Sequence, residues 1–302
     1  MQEQLDYFLL DVFTETPFGG NPLAVFTQSD TLSTEQMHKI TKELNLSETV
    51  FLNGAQTSDG DVSMRIFTPG KELPTAGHPS IGTAFLLLSL KLITPKQPNK
   101  VVLEQEIGNI TIHYKIEANE VTELMMEQPL PKFEATFRNK ELMGALLGLN
   151  AIDLYQDYPC RIVNCGNPFL IVPINSLTAV KNIQLKNEIY HDICEEIEIT
   201  GVLAFTLETE GKNNITHSRM FAPQLGIIED PATGSAHGPL AAYLHNYQLA
   251  PVKQVSRCEQ GFEMGRPSYI NIQIIEEGGK IQKVLVGGKS VIMGKGTLYH
   301  SA

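Results

Sequence analysis

The segment Leu46-Ser47-Glu48-Thr49-Val50-Phe51-Leu52 sets a carboxylate at the mouth of an apolar, strand-like run. Burial disfavours a charged carboxylate and raises its pKa, which would suit Glu48 to take and return a proton near neutral pH. The ordinary alternative is an edge-of-strand glutamate in water, the commoner state of any single Glu. Gly77-His78 and Gly234-Ser235 each stand where a loop becomes an apolar helical run. The first amides of a helix lack intrahelical partners and carry the positive end of its dipole. Two such ends facing each other across a cleft would grip a carboxylate and stabilise a developing enolate-like anion, with the glycines letting the backbone approach closely. The plainer alternative is a pair of glycine turns leading into core helices. Asp230, just ahead of Pro231, reads equally as a helix-entry acceptor or a proton relay. His78 leads the histidines because it stands on a helix entrance. His237 lies one turn inside the second helix, and His38, His191 and His300 read as surface residues.

These residues sit in a sequence that repeats itself. Gly20-Asn-Pro-Leu-Ala-Val25 returns as Gly166-Asn-Pro-Phe-Leu-Ile171, Arg65-Ile-Phe-Thr-Pro69 as Arg219-Met-Phe-Ala-Pro223, and Pro74-Thr-Ala-Gly-His-Pro79 as Pro231-Ala-Thr-Gly-Ser-Ala236. Three matches in one order predict a duplicated domain of about 150 residues. We place the halves at 1–130 and 131–302, crossing at Gln128-Pro-Leu-Pro131. The counterpart of the Glu48 strand, Ile199 to Phe205, has Gly201 near the glutamate position, so only the first half carries the base. Alternating or β-branched runs at Val62–Phe67, Val101–Leu103, Ile110–Ile116 and Ile270–Ile275 predict strands, as does the N-terminal segment. Pro79–Leu90 is apolar on nearly every side, so a helix there must be enclosed, and Ala236–Leu244 is its counterpart. Amphipathic helices are expected outside, at Ser33–Glu43, Lys140–Leu147 and Gln184–Glu196. Arg65 and Arg219, at matching strand positions, are expected to hold the motif loops through backbone carbonyls.

The chain has 302 residues, 42% hydrophobic and 19% charged, with a formal net charge of −11 and a pI near 5.2. An acidic field repels phosphate backbones, which excludes nucleic acid and anionic membranes as partners. A small anionic metabolite remains compatible if the site supplies its own aimed positive potential. The N-terminus lacks the basic region of a signal peptide, and the longest apolar candidate, Ala84 to Leu90, is far shorter than the roughly 18 residues of a membrane span. Cys160, Cys165, Cys194 and Cys258 show no Cys-x-x-Cys spacing and read as free thiols of a reducing cytoplasm. Gly287-Gly-Lys-Ser290 resembles the end of a phosphate loop, but Lys283 stands where that pattern needs glycine and a strand-like run follows. No nucleotide-binding glycine fingerprint, paired metal-ligand motif or nucleophile elbow occurs. The chemistry therefore falls to side chains and helix ends, with no cofactor expected.

Taken together, Asp11-Val-Phe-Thr-x-x-Pro-Phe-x-Gly-Asn-Pro-Leu-Ala-Val-Phe26, Leu46–Phe51, Arg65–Pro69, Gly77-His-Pro79, Gly166-Asn-Pro168, Asp230–Ala236, Gln260-Gly-x-x-Met-Gly-Arg-Pro-Ser268 and Val284–Val291 with Gly296 resemble the PhzF-like, phenazine-biosynthesis family over nearly the whole chain. The resemblance implies an α+β, diaminopimelate-epimerase-like fold: two similar domains, each a sheet rolled around a central helix, with the active site in the interdomain cleft and the C-terminal strand returning to the first domain. It implies a homodimeric isomerase without metal or pyridoxal phosphate. Glu48 matches the family's proton-shuttling glutamate, and His78, Asp230 and Ser235 match its polar partners. Gly77, Gly234, Asn21, Asn167 and Ser47 are the expected substrate-binding positions. Epimerases and racemases of this fold carry a cysteine at each helix entrance. This chain has none there, its nearest motif thiol being Cys165, which favours one-base proton transfer on a small, cyclic or unsaturated carboxylic acid. Two other readings stay open: an amino-acid epimerase or racemase with His78 or Asp230 as second base, and a non-catalytic metabolite- or protein-binding module.

Overall fold

The computed structural model describes residues 2–301, with side-chain surroundings for 4–299. Its elements alternate strands with a few helices. They run β1 (Gln2–Val12), β2 (Asn21–Phe26), α1 (Thr34–Leu44), β3 (Glu48–Gly54), β4 (Val62–Phe67), β5 (Glu72–Leu73), α2 (Gly77–Ser89), β6 (Lys100–Gln105), β7 (Gly108–Glu117) and β8 (Glu120–Gln128). There follow β9 (Lys132–Phe137), α3 (Lys140–Leu147), β10 (Cys160–Asn164), β11 (Pro168–Pro173), α4 (Leu177–Lys181), α5 (Asn187–Glu196), β12 (Gly201–Thr206), β13 (Asn214–Ala222) and β14 (Ile227–Asp230). The last are α6 (Gly234–Asn246), β15 (Ser256–Gln260), β16 (Ser268–Glu277), β17 (Lys280–Gly287) and β18 (Ser290–Ser301). Two compact units result, Met1–Glu127 with Gly287–Ala302, and Gln128–Val286.

The repeat seen in the sequence is a repeat of topology. In the first unit β1 pairs antiparallel with β2, β2 parallel with β3, β3 antiparallel with β4, β4 parallel with β6, and β6 antiparallel with β7. The second unit repeats each step: β10 with β11, β11 parallel with β12, β12 with β13, β13 parallel with β15, and β15 with β16. This mixed α+β architecture in two similar copies is the fold class that the sequence resemblance implied. In the first unit β18 closes the sheet against β1, from Gln2 opposite Ser301 to Val12 opposite Ser290.

Each copy wraps one apolar helix. Helix α2 packs on β1, β2, β3, β6 and β18, and from Gly77 to Leu88 only Phe85 is incompletely buried. Helix α6 packs on β10, β11 and β16 and is buried from Ala236 to Leu244. Both begin two residues earlier than their apolar runs suggest, because Gly77-His78 and Gly234-Ser235 already have helical geometry. The amphipathic helices lie outside the sheets: α1 sets Met37 and Ile40 on the ring cluster Phe26, Phe51 and Phe67. Helix α5 starts at Asn187, later than the expected Gln184. The amides of Gln184 and Lys186 instead bond the Leu147 and Leu146 carbonyls at the end of α3, which holds that segment straight. Among the described residues no helix is long and apolar enough to cross a membrane.

Candidate active site

In the first unit the carboxylate and the histidine meet. Helix α1 ends on Asn45 in the left-handed conformation, its amide bonded to the Thr41 carbonyl at 3.0 Å, and the chain turns directly into β3. Parallel pairing of β2 and β3 then sets Glu48 opposite Leu23. Glu48 is 8% exposed, which removes the plain surface-glutamate alternative. Oε2 of Glu48 lies 3.4 Å from Nε2 of His78, the second residue of α2, whose side chain is 5% exposed. Burial pushes the His78 imidazole down to about 3, so it is neutral across the physiological range. Among the described residues its Nε2 has no hydrogen-bond partner. Beside it Ser47 Oγ donates to Oδ1 of the buried Asn21 at 3.3 Å.

The start of α2 is buried yet uncapped. Ala76 is extended and, among the described residues, no side-chain cap bonds the helix start, where Gly77 and His78 lie inside the protein. The one local side-chain link uses a carbonyl: Ser80 Oγ donates to Ala76 O at 2.6 Å and accepts from Gln105 Nε2 at 2.7 Å. Buried, unclaimed amides at a helix N-terminus form an anion-binding feature.

The second unit builds its helix entrance from other groups. Asp230 ends β14 and is buried, and its carboxylate accepts from Thr233 Oγ1. Gln260 binds the same turn: Nε2 donates to Asp230 O at 2.5 Å and to Thr233 Oγ1 at 3.1 Å, while Oε1 accepts the Thr233 amide at 3.2 Å. Gly234 is buried and Ser235 half-buried, again with no side-chain cap. Asn167 is half-buried ahead of β11, unlike its fully buried counterpart Asn21. His237 has no exposed surface, and its Nδ1 lies 2.9 Å from Thr233 O. Burial lowers it to about 4, so the neutral ring donates from Nδ1 and keeps a bare acceptor at Nε2.

Several sequence expectations need correction or extension. Arg65 and Arg219 are bound chiefly by carboxylates: Arg65 to Glu72 with both contacts at 2.6 Å, and Arg219 to Glu229 with both at 2.8 Å. Only Arg219 also reaches backbone carbonyls, of Val180 and Ile183. A guanidinium fork prefers a bidentate carboxylate where one is in reach. His38 is half-buried, 3.1 Å from the Pro69 carbonyl, while His191 is exposed and the His300 side chain lies outside the described residues. Gln105 and His217 have no role in the sequence reading, and Thr233 and Gln260 enter it only as members of the family motifs, likewise without one. A usable signal existed for the glutamines, since Glu104-Gln105 recurs as Glu259-Gln260 in the same order as the other repeats. Burial raises the thiols of Cys160 to about 11 and of Cys165 and Cys258 to about 12, out of range for proton transfer near neutrality.

Comparison with known proteins defines the class first. Over 98% of this chain the fold superposes on a hydroxyproline epimerase of Agrobacterium vitis, covering 92% of that chain with a TM-score of 0.66 at 11% identity, which shows the diaminopimelate-epimerase-like fold alone. It also superposes on the Bacillus anthracis phenazine biosynthesis protein of the PhzF family, with a TM-score of 0.88, 27% identity and coverage of 98% and 99% of the two chains. The family model for phenazine biosynthesis-like proteins matches residues 10–296. The trans-2,3-dihydro-3-hydroxyanthranilate isomerase of Pseudomonas aeruginosa is 34% identical over 293 residues, 97% of this chain and 99% of that protein. The chain belongs to the phenazine biosynthesis-like, or PhzF, family, and it is an enzyme of the isomerase class.

Proposed function

We propose that the chain shifts a proton between two carbons of a small, cyclic or unsaturated carboxylic acid, with Glu48 as acid and base. The observation that carries this reading is a buried Glu48 carboxylate 3.4 Å from a histidine kept neutral by burial, at the uncapped start of α2. In the first step Glu48 takes a proton from a carbon conjugated to the substrate carboxylate, and the electron pair moves into the conjugated system. The amides at Gly77 and His78 stabilise the extra negative charge on the substrate oxygens. In the second step the protonated Glu48 returns the proton to a different carbon of the same face, so atoms and charge balance within the molecule. His78, a neutral ring, stands 3.4 Å from the carboxylate without neutralising it.

Asp230 and Ser235 are the further polar partners in this reading, and Asn21, Ser47, Asn167, Gly77 and Gly234 bind substrate. The family match supports these roles through the motifs that carry them. The reading extends to an enzyme that needs no cofactor and works as a homodimer in the cytoplasm. Full activity after exhaustive chelation and a dimer mass by light scattering are the expected results.

The test uses trans-2,3-dihydro-3-hydroxyanthranilate in D2O, followed by NMR. Wild-type protein is expected to give isomerised product carrying solvent deuterium. Glu48→Gln should slow the reaction by roughly 10²–10⁴-fold, the usual contribution of a positioned acid/base. Wash-in at the wild-type rate in that variant would sink the assignment.

A further inference from the structure

The second unit buries a charged group that the repeat does not require. Parallel pairing sets His217 of β13 opposite Glu259 of β15, and Ser218 opposite Gln260. The same pairing in the first unit, β4 with β6, sets Ser63 opposite Glu104. The two glutamates do similar work: Glu104 accepts the amides of Gln56 and Thr57, and Glu259 accepts those of Glu210 and Gly211. The sheet and its loop are thus built without a histidine in one copy and with one in the other.

His217 has no exposed surface. Its Nδ1 lies 3.0 Å from Glu259 Oε1 and its Nε2 2.9 Å from Glu263 Oε1, with the Phe262 ring 5.4 Å away. Burial alone would lower the imidazole, but the two glutamates outweigh it and raise it to about 9. The ring is therefore an imidazolium with two donors, one for each carboxylate. It fastens the end of β15 to the short helical turn Phe262–Met264.

Between those two fastened points lie Gln260 and Gly261, and both press on the entrance of α6. Gln260 makes three hydrogen bonds to Asp230 and Thr233. Gly261, at φ +80, passes so close to the Asp230–Gly234 turn that a Cβ there would stand 2.4 Å from Pro231 O. In the first unit Gln105 reaches inward to Ser80 and the Met64 sulfur instead. The first copy's glutamine thus reaches its helix entrance only through Ser80, whereas Gln260 bonds the turn directly, and among the described residues the buried imidazolium belongs to the second copy.

We propose that His217, by bridging Glu259 and Glu263, is a positioning residue that holds the Asp230–Gly234 turn in one conformation through Gln260 and Gly261. It touches no substrate. The effect on turnover rests on the function proposed above; the ordering of the turn does not.

Hydrogen–deuterium exchange read by mass spectrometry separates the two. In His217→Gln, Glu263→Gln and Gln260→Leu, peptides covering 230–236 are expected to exchange at least about tenfold faster than in wild type, with peptides over 48–54 unchanged. On trans-2,3-dihydro-3-hydroxyanthranilate, kcat should fall about tenfold in each variant while KM moves far less, because a displaced turn loses alignment more than binding. Glu263→Gln keeps the side-chain shape and the His217–Glu259 pair, so it stands in if His217→Gln does not fold. Unchanged protection at 230–236 in either folded variant overturns the proposal. Loss of protection spread evenly over the second unit in both does so too, since that marks plain structural support. Wild-type protein inert towards the substrate, with the localised exchange change present, would overturn the proposed function and leave the clamp standing.

Discussion

At the scale of single residues, the site depends on side chains held in unusual protonation states by where they lie. His78 and His237 are kept neutral by burial, at about 3 and about 4, whereas an unfolded histidine titrates near 6.5. The unfolded chain therefore binds more protons in that window, and stability must fall as pH drops from about 6.5 towards 4. His237→Gln, which removes one of the two contributors, should flatten this acid limb by on the order of 2–3 kcal/mol at pH 4 in urea titrations. His217 has the opposite sign: its folded pKa, raised to about 9, adds stability that is fully present below about 6.5 and disappears as pH rises through 9. His217→Gln should accordingly remove the alkaline decline. Little of this was legible in the chain. Glu48 stood out by type and neighbours, but its burial follows from β2 lying parallel beside β3, and the His217–Glu259 contact from β13 lying parallel beside β15. Parallel neighbours are joined by long crossovers, so no local pattern announces which side chains they bring face to face.

At the scale of elements, more was readable, because helices and their ends obey local rules. Ser33 caps α1 in a capping box with Gln36, and Lys140–Leu147 is helical over the span that its periodicity predicts. Ser33→Ala should lower stability by about 1 kcal/mol without touching chemistry, measured by thermal or urea unfolding. Helix α2 is a harder case. Its all-round apolarity announces enclosure, but the closeness of fit rests on Gly82, where a Cβ would stand 2.6 Å from Val12 Cγ2 and 2.7 Å from Leu23 Cδ2. Gly82→Val should destabilise the protein by roughly 2–3 kcal/mol through overpacking and should displace the helix start that carries His78. Lower melting temperature with retained turnover would argue that the helix start is held independently of its middle. The late start of α5 escaped the sequence reading because backbone bonds from 184–186 to the end of α3 compete with the helix there.

At the scale of the molecule, duplication explains both what could be foreseen and what could not. Repeated motifs in one order gave the doubled topology, and the copies keep even their accessory pairs: Arg65 with Glu72 and Arg219 with Glu229, each guanidinium 5.1 Å from a following phenylalanine ring. The copies differ at single positions, and a difference of one residue, such as Ser63 against His217, has no signature when read alone. The first unit is also discontinuous in sequence, since β18 pairs with β1 along its length. A chain ending at Val286 should therefore lose exchange protection throughout 4–127 while retaining it in 128–286; equal protection of both segments would show β18 to be dispensable.

That same strand sets the order in which the protein can come into being. During synthesis β1 leaves the ribosome before the later strands of this sequence, yet the edge that β18 covers stays open until β18 emerges. The contiguous second unit has all its strands available earlier, so the nascent chain should mature from its middle outwards. For that interval β1 exposes a long, partly apolar edge, open to pairing with another chain.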